Sequence, residues 1–225
     1  MSIKTYNPDI NVYEAAKDRV SYTFDNFEKI TLSFSGGKDS SVMFHLVMEE
    51  AIKRGRKVAV MLIDFEAQYK ATSDHAMEMF DKYSENIDAH WICLPINLRN
   101  ASSNFEPVWR CWEPEKRGDW VREFPDHDSV VKDPSYYPFF VPGMEFEEFI
   151  ILFAEWYVDG KTSANFVGIR ADESLNRFRT VASDKKAMFN KKKWTTLAAE
   201  NCYNIYPIYD WKTKDIWLYH AKFPD

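Results

Sequence analysis

Six consecutive residues, Ser35-Gly36-Gly37-Lys38-Asp39-Ser40, combine what a phosphate-binding turn needs: paired glycines, flanking hydroxyls, a lysine and a carboxylate. Neighbouring glycines let successive backbone N–H groups converge on an anion with no Cβ in the way. The segment falls where an expected buried strand, residues 30–34, gives way to Ser41-Val42-Met43-Phe44-His45-Leu46-Val47-Met48, whose apolar content suits a helix packed on a sheet. A strand-to-helix junction adds the partial positive charge of a helix N-terminus, and Lys38 adds a full one. The G-x-x-x-x-G-K-[ST] phosphate loop is excluded, because Leu32 and Asp39 stand where it requires Gly and Ser or Thr. The dinucleotide fingerprint is excluded too, since no G-x-G-x-x-G occupies the junction.

A second concentration of charge follows the apolar run 164–169. It reads Gly168-Ile169-Arg170-Ala171-Asp172-Glu173-Ser174 and continues to Arg177 and Arg179. In a doubly wound sheet this strand end lies beside the first loop, so that Arg170 reaches the same phosphates and Glu173 orients it through a bidentate pair. The plainer alternative is a solvated ion-pair cluster. A third segment, Tyr206-Pro207-Ile208-Tyr209-Asp210-Trp211-Lys212-Thr213-Lys214-Asp215-Ile216-Trp217, reads as a strand, a turn and a helix capped by Thr213.

In this order the three segments resemble one superfamily. The first is similar to the S-G-G-x-D-S loop of the N-type ATP pyrophosphatases (PP-loop proteins), the phosphoadenosine-phosphosulfate (PAPS) reductases and the ATP sulfurylase small subunits. The second resembles the G-x-R-x-x-E-S-x-x-R element of the reductases and sulfurylases, and the third their P-I-x-x-W-x-x-x-D-[IV]-W segment. The likeness runs from about residue 30 to residue 217. With its Trp-Glu-Pro insert, the chain looks like the PAPS-reductase-like proteins of phages and prophages, the immunoglobulin-binding regulator A group. Those relatives are usually longer, so a carboxyl-terminal region is expected to be absent or to belong to another chain.

The resemblance implies an adenine nucleotide alpha hydrolase-like fold that binds ATP, or PAPS, with Mg. Its nucleotide-binding residues would be Ser33, Ser35, Gly36, Gly37, Lys38, Asp39, Ser40, Asp64, Gly168, Arg170, Glu173 and Arg177. Lys38, Asp39 and Arg170 would be catalytic, and Asp39 would position the magnesium, with Asp64 a weaker second candidate. The implied chemistry is attack of an acceptor oxygen on the α-phosphorus, with pyrophosphate as leaving group. A regulator that binds ATP or PAPS and acts through a partner, a ParB-like protein, is the second reading the likeness supports. Thiol-dependent reduction is not expected, because no Glu-Cys-Gly-x-His segment occurs and Cys202 is followed by Tyr203-Asn204.

The elements expected to position these residues alternate. Helix 12–24, with Asn11 as cap, precedes the strand at 30–34; Gly55 ends the helix after the loop; residues 57–64 form a continuous apolar strand that brings Asp64 to its carboxyl end. A helix at 68–83 and a strand at 90–94 follow, then a helix at 145–158. Alternation of this kind predicts an α/β fold, a doubly wound, mostly parallel five-stranded sheet with helices on both faces and ligands over the strands' carboxyl ends. The expected organisation is an N-terminal helical segment (1–29), a nucleotide-binding domain (30–217) with an aromatic-rich insertion at about 97–142, and a short end (218–225). The insertion either packs on itself or touches substrate.

Composition narrows the classes further. With 225 residues, 45% of them hydrophobic, the chain can fill a core. No stretch of about eighteen apolar residues occurs and no leader is apparent, so a cytoplasmic protein without membrane contact is expected. Cys93, Cys111 and Cys202 are too scattered for a disulfide framework or a zinc site, and the five histidines show no metal spacing. The net charge of −6 argues against a general nucleic-acid coat. Yet Arg177, Arg179, Lys185, Lys186, Lys191, Lys192 and Lys193 stand against the single acid Asp184, either as a solvated mobile loop or as a nucleic-acid contact across Lys185–Lys193. A homo-oligomer stays open.

Overall fold

The computed structural model describes residues 9–100 and 105–223. In chain order the elements are α1 (Val12–Asn26), β1 (Lys29–Ser33), α2 (Lys38–Arg54), β2 (Val58–Ile63), α3 (Lys70–Lys82), β3 (Ile87–Ile92), β4 (Asn97–Arg99), β5 (Val108–Arg110), β6 (Val130–Val131), α4 (Phe146–Val158), β7 (Ser163–Val167), α5 (Leu175–Ala182), β8 (Thr195–Ala199), β9 (Cys202–Ile205) and α6 (Thr213–Lys222). The caps follow local chemistry. Asn11 Oδ1 accepts from the Glu14 N–H at 2.9 Å, and Gly55 closes α2 in the left-handed conformation, φ +60°.

The central sheet runs β6-β3-β2-β1-β7-β9-β8, parallel throughout except for β8 against β9. The α/β class and parallel sheet are as expected, but there are seven strands, not five. One addition, β6, is a two-residue strand inside the insertion, too short to carry any periodicity. The other end of the sheet is a hairpin, β8 to β9, turned through Asn201 at φ +59° rather than through a glycine. The strand expected at Tyr206 ends at Ile205. Residues 206–211 form buried turns instead, with Trp211 N donating to Ile208 O.

β2 is buried at all six positions, as a strand covered on both faces must be. One face of β1 carries Leu32 and continues to Phe34, whose ring packs on Phe44 and Phe80. The N-terminal helix joins the same core through Ala16, Val20 and Phe24, and its Arg19 is buried in a two-pronged pair with Asp210, 2.8 and 2.7 Å. The opposite face is unusually polar near β1. Thr31 Oγ1 and Ser33 Oγ both donate to Asn165 Oδ1, and Asn165 Nδ2 donates to Asn204 Oδ1, so a row of side-chain hydrogen bonds crosses β1, β7 and β9.

The insertion packs on itself around a Trp112–Trp120–Phe124 cluster, with β4 and β5 forming a separate antiparallel ribbon. Residues 101–104 of that range lie outside the described ones. Among the described residues, no helix is long and apolar enough to cross a membrane.

Candidate functional site

β1 delivers the chain to the sheet's carboxyl edge, and the turn Ser35-Gly36-Gly37 feeds directly into α2 at Lys38. The first N–H groups of a helix have no acceptor within it, so Lys38, Asp39 and Ser40 present backbone donors at this end. Two glycines set how closely neighbouring elements approach. Gly36 sits at φ +69°, and a Cβ there would lie 2.6 Å from Thr72 Cγ2 at the start of α3. Gly168, at the end of β7, leaves room for the first turn of α2: a Cβ would come within 3.2 Å of Ser40 Cα. The loop is therefore clasped between α3 and the β7 end, and the two charged segments meet as the topology required.

A cavity of about 380 Å³ opens over this edge. One side is polar, built from Ser33, Ser35, Gly37, Lys38, Asp39 and Ser40, with Gly168, Glu173 and Arg177 across from them. The other side is apolar: Met61, Ile63 and Phe65 project from successive same-face positions at the end of β2, and Phe146 and Ile150 descend from α4. Phe65 and Phe146 meet edge to face with ring centroids 5.4 Å apart. These apolar residues were not singled out from the sequence, although the period-two spacing of 61, 63 and 65 carried the signal.

Charge in the cavity is balanced by Asp39. Its Oδ2 accepts from Lys38 Nζ at 2.8 Å and its Oδ1 from Arg170 Nε at 2.9 Å. Arg170 is 3% exposed and does not line the cavity; its Nη1 reaches Thr213 Oγ1 at 3.5 Å. The expected bidentate pair between Arg170 and Glu173 does not form. Glu173 Oε2 accepts the Arg170 backbone N–H at 3.0 Å, its other oxygen stands 3.9 Å from Arg170 Nη2, and its close ion pair is with Arg177. Arg177 is consequently the arginine at the cavity, while Arg170 holds Asp39. The serine hydroxyls close the loop on itself: Ser35 Oγ and Ser40 Oγ are 3.0 Å apart, and Gly37 N donates to Ser35 Oγ at 3.4 Å.

Two expectations do not fit this geometry. Asp64 lies at the end of β2 but faces away from the cavity. Its carboxylate accepts from Arg122 Nη2 at 2.6 Å to both oxygens, from Trp91 Nε1 at 2.8 Å and from the Glu66 N–H at 2.9 Å, leaving it no exposed surface. It is an anchor for the insertion, which a metal-ligand reading ignores. Thr213 does not cap α6 either; it is the helix's first residue, and Asp215 Oδ2 accepts the Lys212 N–H at 2.8 Å.

His220, given no role from sequence, reaches from α6 and donates through Nε2 to the Lys38 carbonyl at 3.0 Å. Its spacing carried no motif, because the contact spans 182 positions of chain. His75 pairs with Ser41 Oγ at 2.8 Å, and burial lowers its pKa; burial of His45 lowers it to about 4. The thiols of Cys93, Cys111 and Cys202 are all buried, and desolvation raises the pKa of each, that of Cys111 to about 12. None lines the cavity. No group of three potential ligands able to hold a metal occurs among the described residues, and the carboxylates that line the cavity are Asp39 and Glu173.

Similar proteins are known. The phosphoadenosine phosphosulfate reductase domain family matches residues 29–222. The uncharacterized protein YbdN of Escherichia coli (strain K12) is 42% identical over 224 residues, covering 98% of this chain and 54% of the relative. The chain thus spans about half the length of that curated relative. Among solved structures, the U34-tRNA thiolase NcsA from Methanococcus maripaludis, with its 4Fe-4S cluster, aligns at a TM-score of 0.46 and 13% identity, covering 95% of this chain and 64% of that one.

Proposed function

The chain belongs to the phosphoadenosine phosphosulfate reductase domain family, and from that premise we propose that it binds an adenine nucleotide, ATP or PAPS, and cleaves ATP between its α- and β-phosphates to adenylate an acceptor. The observation that carries this reading is the pairing, in one cavity, of a glycine-rich helix N-terminus bearing Lys38 with an apolar wall of Met61, Ile63 and Phe65. Phosphates suit the first side and a purine ring the second. In the reaction an acceptor oxygen bonds to the α-phosphorus, the bond to the bridging oxygen breaks, and its electron pair leaves on pyrophosphate; the acceptor's proton goes to solvent. Backbone N–H groups at the start of α2, Ser35, Ser40 and Lys38 would hold the leaving group as its charge grows.

Asp39 holds Lys38 by an ion pair. Phosphates in the cradle would compete for that lysine, and Asp39 Oδ2 would hold a magnesium ion carried by the nucleotide, which would supply charge neutralisation on the phosphates. Arg177, which lines the cavity, would meet the α-phosphate or a 3′-phosphate. Phosphate chemistry suits the site better than thiol chemistry, since the cavity wall carries no sulfur nucleophile.

The test is product analysis with ATP and Mg, water standing in for the acceptor, alongside calorimetry of ATP, AMP and PAPS. AMP and pyrophosphate are the expected products, reduced about 10²–10³-fold in Lys38→Ala. ADP and phosphate as products, or release unchanged in Lys38→Ala, would overturn the proposal. Tight binding of PAPS over ATP with no pyrophosphate would leave a nucleotide-binding regulator in place of the enzyme.

A further inference from the structure

The basic run between Arg177 and Lys193 is not loose. Lys186 is tucked inward, donating to the Thr180 carbonyl at 3.1 Å and the Lys193 carbonyl at 2.7 Å, and lies over the Tyr206 ring. Thr195 Oγ1 accepts the Phe189 N–H at 2.9 Å and donates to the Lys192 carbonyl at 2.8 Å, while Leu197 N donates to Ala187 O at 2.9 Å. Asn190 Nδ2 donates to Tyr22 Oη and the Lys192 ammonium sits 4.7 Å from the same ring, fixing the segment to α1. Asn190 and Lys191 are held at φ +47° and +58°, a strained pair that only such surroundings sustain. Two lysines are thus engaged by the protein itself, Lys186 as an internal clip and Lys192 over the Tyr22 ring, and Arg177, Arg179, Lys185, Lys191 and Lys193 remain exposed.

A rigid basic bracket on a chain of net charge −6 calls for an anionic partner of its own. Its geometry selects among polyanions. No large apolar side chain within 177–193 is exposed, the nearest being Leu175 and Leu197 outside it, so the anchors that bind a helix or loop to an anionic bilayer are missing. At one end the strip includes Arg177, which lines the cavity; from there α5 connects through the Lys186–Thr180 contact to Lys193, whose ammonium lies 3.5 Å from Asp184. A ligand built of repeating nucleotides matches both ends, with backbone phosphates along the lysines and one unit at the cavity rim. We infer that residues 177–193 bind the phosphodiester backbone of single-stranded nucleic acid, independently of whether the cavity cleaves ATP.

The experiment is fluorescence anisotropy with labelled thymidine and uridine oligonucleotides of about twenty units, across about 50–200 mM KCl. Five phosphate contacts on a single strand give a slope of log K against log salt near −3.5, or about a hundredfold loss across that range. Lys185→Gln, Lys191→Gln and Lys193→Gln combined should weaken binding at least tenfold and bring the slope towards about −1.4. The matching triple Lys53→Gln, Lys70→Gln and Lys132→Gln should leave affinity within about threefold. Thermal melting of both triples reports whether each is folded. Absent binding at the lowest salt, equal loss in the two triples, or tighter binding of a multiply phosphorylated peptide than of either oligonucleotide would overturn the assignment.

Discussion

Asp39 is where the site's charges converge, and its two oxygens divide the labour: one accepts from buried Arg170, the other from Lys38, which faces the cavity. The position of Arg170 after a strand beside the loop predicts a phosphate ligand; the fold instead commits its planar fork to Asp39 and Thr213, and leaves the cavity to Arg177. Such a division is invisible in spacing, since both arginines lie in one short run. Gly36 makes a residue-scale test of the loop itself. Gly36→Ala imposes both a left-handed backbone and a contact with Thr72 Cγ2, and should cost about 2 kcal/mol of stability. Adding Thr72→Ser removes that methyl and should restore about half; chemical denaturation of the single and double variants reads the difference, and no relief in the double variant would contradict the packing described.

At the level of elements, the insertion is tied to the end of β2 by two acids. Glu66 accepts the Trp112 and Val121 N–H groups at 2.8 and 2.9 Å, and Asp64 holds Arg122. Removing one partner of a buried pair strands the other, so Asp64→Asn should destabilise the fold by about 3 kcal/mol while leaving nucleotide affinity within about threefold. A large loss of Mg-dependent ATP binding with unchanged stability would instead restore Asp64 as a metal ligand. The strands and helices that carry the cavity were legible because β1, α2 and β2 each state their type in pattern: alternating Ile30, Leu32 and Phe34, a glycine turn, an apolar-rich helix, then six successive apolar residues in β2. What escaped was non-local. The two-residue β6 pairs only because β3 offers an edge, the β8–β9 hairpin turns on Asn201 without a glycine, and His220 meets Lys38 through tertiary packing. The insertion's tryptophans announced themselves by composition, but only the fold shows them enclosing Asp64 and Glu66 rather than lining the cavity.

On the scale of the whole molecule, ligand-facing chemistry gathers at the carboxyl edge of a parallel sheet, at the point where β1 is flanked by β2 on one side and β7 on the other. Doubly wound folds bind at that edge because helix N-termini converge there. The basic bracket continues from the same edge through Arg177, so nucleotide and polyanion would share one face of the protein. Everything rests on phosphates occupying the start of α2. The direct measurement is calorimetric titration of α,β-methylene-ATP, which cannot be cleaved between those phosphates, into the protein and into Lys38→Ala, with AMP as comparison. One-to-one binding that falls at least tenfold in Lys38→Ala, with AMP weaker than the triphosphate analogue, is the expected result. Equal affinity in the variant, or AMP binding as tightly as the analogue, would mean that the glycine turn does not hold phosphate.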